Sequence, residues 1–232
     1  MTTSTLDRRT RIVDSAIDLV AAQGLRALTH RALDTALELP PGSTSYYFRT
    51  KRALIEAIVD HIALRSRSDF AAAGEALRVP GIAPGAGTSP GTEPSVSGPS
   101  NSRSGGGTPG DSTSGDIDIP ALALGIADWL DRLLAQRRNH LIVRHALIIE
   151  LQGDEELHAK LVGCLFSHRH ATELYRALGS RSPAEAAADF IAVIEGLVFD
   201  RFAGARTTLV PGTPESRRQL TRVLTIQLRA HE

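Results

Sequence analysis

A run of small and hydroxylated residues follows a double proline near the start of this 232-residue chain. The run ends in two tyrosines, and it comprises Pro41, Gly42, Ser43, Thr44, Ser45, Tyr46 and Tyr47. Small residues let the backbone approach another molecule closely, and hydroxyl groups can hydrogen-bond to phosphates and base edges. Arg49, Lys51 and Arg52 follow at the predicted start of a helix, where positive side chains add to the attraction for a phosphate. These residue types therefore indicate non-covalent recognition of a nucleic acid.

Two short helices separated by a proline turn must position this run. The first is predicted to begin at Thr29, whose hydroxyl can cap the first turn, and to continue to about Leu37. Pro40 and Pro41 end it, because proline excludes helical dihedral angles in the residue before it, and the second helix is predicted from about Pro41 to Tyr47. This is the layout of a helix-turn-helix, whose second helix enters the major groove. On spacing alone, a three-helix cap with a solvated charged rim is an equally good interpretation.

Helical periodicity continues on both sides of this motif. Apolar residues recur on one face from Asp7 to Ala22, and a long helix is predicted from an N-cap at Thr50 to about Leu77. Further helices are predicted to begin at Pro120, Arg138, Asp154, Ser182 and Thr213. No strand pattern occurs. The predicted fold class is all-α, with about nine helices: an N-terminal three-helix helix-turn-helix domain and a C-terminal helical bundle.

Three boundaries in the C-terminal half are predicted from specific residues. Gly153 is expected to close one helix in the left-handed conformation. The helix capped by Asp154 is predicted to continue to about Leu178. Ser182, followed by Pro183 and a glutamate three residues after the serine, has the pattern of a full capping box at the start of the next helix.

A segment rich in Gly, Pro, Ser and Thr interrupts the helical pattern. It covers residues 79–117, and such a composition cannot bury enough apolar area to offset its ordering entropy. We predict a disordered insert, either a docking segment for a partner or, in the favoured interpretation, a tolerated flexible stretch. The predicted divisions are a DNA-binding domain, a connecting helix, the insert, and a ligand-binding and dimerisation domain, at 1–50, 51–78, 79–117 and 118–232.

Composition excludes several classes of protein. Only 4% of residues are aromatic, so a core of Ala, Leu, Val and Ile in helices is favoured over an all-β architecture. The 26 basic and 26 acidic residues cancel, yet residues 1–52 hold eight basic and five acidic residues, a local excess of positive charge. Cys164 is the single cysteine, which excludes an intramolecular disulfide and suits a reducing cytoplasm. We expect no signal peptide and no membrane anchor.

The stretch from Arg11 to Ile58 resembles the N-terminal DNA-binding domain of TetR-family transcriptional regulators. The residues that carry the resemblance are Leu39-Pro40-Pro41-Gly42-Ser43-Thr44-Ser45-Tyr46-Tyr47-Phe48-Arg49-Thr50-Lys51, followed by Leu54. It is specific over roughly the first 60 residues and architectural beyond them. The resemblance implies a homodimeric, ligand-responsive repressor that binds palindromic double-stranded operator DNA. It also implies that a small-molecule effector shifts the long fourth helix, moves the two reading helices apart and lowers DNA affinity.

The resemblance also assigns roles to single residues. Thr29 would contact a phosphate with help from Arg31, and Lys51 would hold a backbone phosphate. The residues implied to lie at the DNA face are Pro41, Gly42, Ser43, Thr44, Ser45, Tyr46, Tyr47 and Arg49, whereas Phe48 would pack in the core. Two positions depart from the family pattern: Glu38 replaces the turn glycine of most members, and Ser45 stands where many have tyrosine.

The last two predicted helices are expected to form a dimer interface. The helix that begins at Ser182 is apolar on more than one side, and a monomer can cover only one such face. The predicted interface residues on the two helices are Phe190, Val193, Ile194, Leu197, Val198, Phe202, Leu220, Val223, Leu224 and Leu228. The alternative is one deeply buried helix within a larger monomeric bundle.

An effector cavity is expected among the middle helices, where the resemblance puts it. The predicted lining residues are Trp129, His145, Glu150, Cys164, Phe166, His168 and Tyr175. Each alone has a structural interpretation, such as Trp129 in the core or Cys164 as a small buried side chain. His168 and His170 are not predicted to bind a metal, because residues two apart on a helix do not face one side. We predict no metal site and no cofactor.

Two other functional classes remain as alternatives. A helical enzyme is disfavoured because no nucleophile elbow, HExxH, Walker loop or GxGxxG motif occurs. A helical protein-interaction module without DNA binding, with the insert as its contact arm, is the second alternative.

Overall fold

The structure is a computed structural model, and it describes residues 2–76 and 117–230. Every regular element in those two ranges is helical, which confirms the predicted all-α class. The helices are α1 (Thr2–Gln23), α2 (His30–Ala36), α3 (Ser43–Tyr47), α4 (Lys51–Ala76), α5 (Ile119–Gln136), α6 (Arg138–Glu150), α7 (Glu155–Val162), α8 (His168–Ala177), α9 (Pro183–Ala203) and α10 (Pro214–Arg229), with a 3₁₀ turn at Leu25–Ala27. Apart from Ile117, the predicted insert at 79–117 lies outside the described residues.

Short polar side chains begin several helices where they are predicted to. The Thr29 hydroxyl accepts a hydrogen bond from the backbone N–H of Ala32 at 3.1 Å, and Thr50 accepts from Ala53 at 3.0 Å. Asp154 caps α7 and Thr213 caps α10 in the same way. Each bond satisfies a first-turn amide that has no partner within its helix. The N-terminal boundaries of α2, α4, α7 and α10 are therefore fixed by local chemistry.

Other predicted boundaries are wrong. Gly153 is not in the left-handed conformation, and Ser182 makes no side-chain capping bond although α9 does begin after it. The predicted helix from Asp154 to Leu178 is two helices, because the chain turns after Val162 and the Ser167 hydroxyl caps α8.

Two apolar cores fill the described part of the chain. The first contains buried residues of α1, α2 and the N-terminal half of α4, together with Val143 and Leu147 of α6 and Leu157 and Leu161 of α7. The second gathers α5, α8, α9 and α10, with Leu141 of α6 at its edge. The N-terminal unit, α1–α4, thus shares its core with α6 and α7. Because the side chains of α4 pack in that core, a displacement of α6 or α7 would change the packing of α4. No helix in these described ranges is long and apolar enough to cross a membrane.

Candidate nucleic-acid interface

A buried carboxylate on α2 holds the start of α3. Asp34 Oδ2 accepts the backbone N–H of Gly42 at 2.8 Å, and Oδ1 accepts both the N–H and the hydroxyl of Thr44, at 2.8 and 2.6 Å. Gly42 has a φ of 88°, a left-handed conformation that glycine adopts without steric cost. α3 therefore begins at Ser43, two residues later than predicted, and its orientation on α2 is fixed by three hydrogen bonds.

The environment of Asp34 favours its ionised form. Burial raises the pKa of this carboxyl, but the hydrogen bonds from Thr44 and Gly42 and the attraction of His30 outweigh burial and leave the pKa below its usual value. Sequence reasoning treats Asp34 as one more negative charge and misses this role. The available signal is its place directly after buried Leu33, on the side of α2 that faces the proline turn.

The outer surface of α3 is open to solvent. Ser45 and Tyr46 are exposed, Tyr46 by 80%, and Ser43 and Tyr47 are half-buried. Pro41 and Gly42 are exposed in the turn before the helix. The rings of Tyr46 and Tyr47 meet edge to face with centroids 5.2 Å apart, which fixes their relative orientation.

Thr44 corrects one predicted contact. Its side chain is fully buried and its hydroxyl is bound to Asp34, so it faces away from the surface that Ser45 and Tyr46 form. Thr44 positions α3 and does not belong to the DNA face.

Glu38 closes α2 in a conformation that normally selects glycine. Its φ is 53°, and it is the sole non-glycine residue with positive φ in the described ranges. The Glu38 N–H donates to Thr35 O at 3.2 Å and the Leu39 N–H to Asp34 O at 2.8 Å, the two bonds of a Schellman motif. A side chain in this conformation costs about 1 kcal/mol. The turn thus keeps the geometry of the family pattern without its glycine.

Exposed polar and basic residues flank α3. Thr29, Arg31, Arg49 and Lys51 are all exposed, and the Lys51 ammonium donates only a long bond, 3.5 Å, to the Leu25 carbonyl. A hydroxyl that accepts a capping bond keeps a hydrogen to donate, so Thr29 remains able to bind a phosphate. These four residues surround the exposed face of α3 with phosphate-binding groups.

Arg52 differs from its basic neighbours because it is paired. Its guanidinium bonds to Asp154 at the start of α7 and to Glu56, 2.9 Å away on α4. The sequence groups Arg52 with Arg49 and Lys51 as phosphate anchors, but the structure pairs Arg52 with two carboxylates. Its ion pair with Asp154 joins the start of α4 to the C-terminal half, and the pair between Lys160 and Asp60, 3.1 Å, joins a point farther along α4 to the same half.

Arg9 supports the other end of α3 and is missed by sequence reasoning. Its guanidinium donates to the Tyr47 carbonyl at 2.8 Å and lies 4.4 Å from the centroid of the Phe48 ring. Phe48 itself is buried in the first core, as the resemblance implies. α3 is therefore held at its start by Asp34 and at its end by Arg9.

The C-terminal half contains a small cleft between α4, α5 and α6. Its empty space, including the open mouth, is about 390 Å³. Two of the predicted effector residues, Trp129 and Cys164, line this cleft, and Arg65, Arg137 and His140 add basic groups. Arg137 is paired with Asp69 through bonds of 3.1 and 3.2 Å.

The other predicted effector residues do not line this cleft. Phe166 and Tyr175 pack against Phe190 in an aromatic cluster, with ring centroids 5.3 and 5.7 Å from it. Glu150 and His168 are exposed elsewhere on the surface. The predicted lining set and the walls of this cleft therefore share only Trp129 and Cys164.

His145 belongs to a buried ionic network. Arg144 is 2% exposed and donates to both carboxylate oxygens of Glu195, at 2.6 and 2.8 Å, and to the carbonyls of Leu161 and Val162. His145 Nε2 lies 3.3 Å from Glu195. Burial raises the pKa of Glu195, but bonds from His145 and Arg144 and their charges lower it to about 2. The network ties α6 to α7 and α9.

Most of the predicted dimer residues are covered within the chain itself. α10 packs on α5 and α8 packs on α9, and these contacts bury Phe190, Ile194, Leu197, Val198, Leu220, Leu224 and Leu228. These seven residues are core residues, which corrects their predicted place in an interface. Val193, Phe202 and Val223 remain half-buried, while Phe199 and Ile226 are 51% and 63% exposed.

Two family models match the chain. The model described as "Bacterial regulatory proteins, tetR family" matches residues 12–58, and "Tetracyclin repressor-like, C-terminal domain" matches residues 118–226. No curated protein sequence matches the chain.

Solved structures share the fold over nearly the whole length. A transcriptional regulator from Rhodococcus sp. Rha1 is 15% identical, with 96% of this chain and 95% of that chain covered and a TM-score of 0.61. A member of the TetR family from Streptomyces coelicolor A3 is 20% identical, with 93% and 97% covered and a TM-score of 0.56. The multidrug binding protein EbrR complexed with ethidium is 21% identical, with 95% and 98% covered and a TM-score of 0.52.

Proposed function

The chain belongs to the tetR family of bacterial regulatory proteins, and we propose that it is a repressor that binds a palindromic operator as a homodimer and is released by a small-molecule effector. As a member of that family it is a DNA-binding regulator and not an enzyme. The observation that carries the proposal is the exposed face of α3, oriented by Asp34 and flanked by the exposed basic residues Arg31, Arg49 and Lys51. A regulator that binds operator DNA would be located in the cytoplasm.

Hydroxyl orientation supports a specific kind of base contact. Ser43 donates to the Pro40 carbonyl at 2.6 Å and Ser45 to the Gly42 carbonyl at 2.8 Å. With their hydrogens used, both oxygens present lone pairs, and the amino groups of adenine and cytosine are the major-groove donors that fit them. Tyr46 adds a long side chain with a hydroxyl at its end.

Phosphate contacts would set the position of α3 on the duplex. Lys51 and Arg49 lie directly after α3, and Thr29 and Arg31 lie at the start of α2. Side chains on both sides of a reading helix fix its register without reading sequence. The local positive charge of residues 1–52 would then act on DNA although the whole chain is neutral.

A second copy would cover the outer face of α9. Phe199 is exposed there beside Ala192, Gly196 and Ala203, small residues that allow two helices to approach closely. Ile226 of α10 extends the apolar surface. A two-fold axis along this face would present two copies of α3 to the two halves of a palindrome.

The proposed effector site is the cleft between α4, α5 and α6. α4 lines it with Ile62 and Ser66 and begins at Lys51, immediately after the reading helix. EbrR binds ethidium within the same fold, which makes a planar aromatic ligand a reasonable first probe. A ligand that widens the cleft would displace α4 and, through the shared core, α3.

Selection of DNA from a random library by the full chain tests operator binding. We expect enrichment of an inverted repeat bound by two chains. Tyr46→Ala would bind the selected DNA weakly, and Ile149→Ala, a change at an exposed apolar residue of α6, would bind as the wild type does. Failure to enrich any sequence would contradict the proposal.

Analytical sedimentation of the wild type and two variants measures the oligomeric state and so tests the proposed dimer. Phe199→Glu should shift the chain to a monomer, because a charge would be buried at the centre of the contact. Ile149→Glu places the same charge on an exposed apolar residue outside the proposed contact and should leave the dimer intact. A wild-type monomer at all concentrations would overturn this part of the proposal.

Trp129, the chain's single tryptophan, reports on the cleft. Ethidium added without DNA should quench its fluorescence in a saturable way. Ser66→Phe, which puts a ring into the cleft, should reduce that quenching. Equal quenching in wild type and Ser66→Phe would assign the ligand to another site.

A further inference from the structure

Three side chains with metal-binding atoms meet where the N-terminal unit contacts α6. Asp14 of α1, His61 of α4 and His140 of α6 each offer one ligand atom, and the three atoms lie within 4.8 Å of one another. Asp14 Oδ1 and His61 Nε2 are 3.2 Å apart, and the two imidazoles stack with centroids 5.7 Å apart. All three residues are half-buried, so the group is enclosed and still reachable from solvent.

The two histidines turn poorly satisfied nitrogens toward the group. Nε2 of His140 is buried from solvent without a hydrogen-bond partner, and Nε2 of His61 has Asp14 Oδ1 beside it at 3.2 Å but makes no well-formed hydrogen bond. A buried polar atom without a partner is costly, and a ligand that takes its lone pair removes that cost.

Neighbouring contacts hold the three helices in register. One turn along α1 from Asp14, the carboxylate of Asp18 accepts a 2.8 Å bond from the side-chain amide of Asn139. Asn139 directly precedes His140, so this bond sets the position of His140 relative to α1. The group is thus built by packing rather than by a chance rotamer.

We propose that Asp14, His61 and His140 bind one divalent first-row transition metal ion of the class that prefers imidazole and carboxylate ligands, such as Zn²⁺, Co²⁺ or Ni²⁺. Bond lengths of about 2.0–2.2 Å need ligand atoms closer than 4.8 Å, so the side chains would draw together by roughly 1 Å. Three protein ligands leave a coordination position for water.

The charges around the group limit its affinity without abolishing it. Arg65 and Arg137 lie near the histidines and repel a cation. Arg137 is neutralised by its pair with Asp69, and Asp14 supplies a charge of the opposite sign. A bound ion would crosslink α1 and α4 to α6 and so join the N-terminal unit to the C-terminal half. Spacing along the sequence predicts no such site, because its residues come from three distant helices.

Titration of the chelator-treated full chain with Co²⁺ tests the proposal. We expect one ion per chain, a visible absorption band from the bound ion, and a higher melting temperature in its presence. Asp14→Asn and His140→Gln should each weaken Co²⁺ binding about tenfold or more and remove the thermal shift. Glu150→Gln, an exposed carboxylate ten residues after His140 on α6 that takes no part in the group, should bind as the wild type does.

Circular dichroism establishes that each variant is folded before it is titrated. Absence of Co²⁺ binding by the wild type would overturn the proposal. It would equally be overturned by binding that Asp14→Asn and His140→Gln leave unchanged, or by binding that is lost on His168→Gln, because α8 would then hold the ion.

Discussion

The N-terminal reading unit (α1–α4) and the C-terminal body (α5–α10) each depend on a buried charged group. The two groups bind partners at different separations along the sequence. Asp34 binds neutral donors of Gly42 and Thr44, only eight and ten residues away, and orients one short helix. Arg144 binds Glu195, 51 residues away, together with two carbonyls at the end of α7, and joins three helices. The first network sets a local orientation, and the second sets the assembly of the body.

This contrast predicts different consequences for stability and DNA binding. Loss of the Arg144 network should lower global stability with little change in how α3 lies on α2. Loss of the Asp34 network should affect DNA binding more than its cost in stability explains. The predictions below test that separation.

Glu195→Ala is expected to have the largest effect. It leaves the guanidinium of Arg144 buried without its carboxylate, which should lower the free energy of unfolding by about 3 kcal/mol. Chemical denaturation measures the change. The control is Glu150→Ala at an exposed position, expected within about 0.5 kcal/mol of wild type, and equal losses in both variants would contradict the network's role.

The same carboxylate predicts a pH dependence. Glu195 has a folded pKa of about 2, below the ordinary 4.5, so its ionised form stabilises the fold above pH 4.5. That stabilisation is lost as pH falls from 4.5 towards 2. The stability difference between wild type and Glu195→Gln should therefore shrink across this window, and a difference independent of pH would show that the charge of Glu195 is not involved.

Asp34→Asn is expected to have the next largest effect. The side-chain nitrogen of the new asparagine would face the hydrogen-bond donors of Gly42 or Thr44 and could not accept from them. The lost bonds should lower the free energy of unfolding by about 2 kcal/mol. Binding to the selected DNA, measured by fluorescence anisotropy, should weaken more than in Glu195→Ala when both proteins are folded. Asp18→Asn, an exposed carboxylate of the same unit, is the control, and DNA binding by Asp34→Asn at wild-type strength would break the comparison.

Lys51→Ala and Arg52→Ala separate a free cation from a paired one. Lys51→Ala should weaken DNA binding for all sequences and reduce the slope of log K against log salt by about 1. Arg52→Ala should change that slope much less, because its charge is already matched by Asp154 and Glu56. Anisotropy at several salt concentrations measures both slopes, and equal changes would contradict the assignment.

Glu38→Gly is expected to have the smallest effect, and it is stabilising. Glycine removes the steric cost of the left-handed conformation, while greater freedom of the unfolded chain offsets part of the gain. The free energy of unfolding should rise by about 0.5 kcal/mol. A decrease would show that the Glu38 side chain contributes contacts of its own.

The reading unit was largely predictable because its signals are local. Thr29 and Thr50 cap within three residues of themselves, and two prolines mark the turn. Asp34 was not predictable, since no spacing rule separates a buried carboxylate from an exposed one on an amphipathic helix. The burial of Thr44 follows from Asp34 and was missed with it.

The body was predictable in class and less so in detail. Apolar residues on several sides of α9 indicate that it is covered on several sides, but not by which helix. Phe190 contacts Tyr175 of α8, and Leu220 of α10 is buried in the same core as α5. Residues that the sequence assigns to an interface with a second copy are therefore buried by helices of the same chain. Contacts between helices that are distant in sequence do not produce a periodic pattern of residues, so the sequence does not show which helices pack together.

Photocrosslinking from α3 to the selected DNA tests the central claim most directly. A benzophenone amino acid replaces Tyr46 in one protein and Ile149 in another, both exposed in the wild type. We predict that position 46 crosslinks to bases within each half of the inverted repeat and that position 149 does not crosslink. Crosslinks from position 149 alone, or none from position 46 on bound DNA, would contradict the claim that α3 reads the duplex.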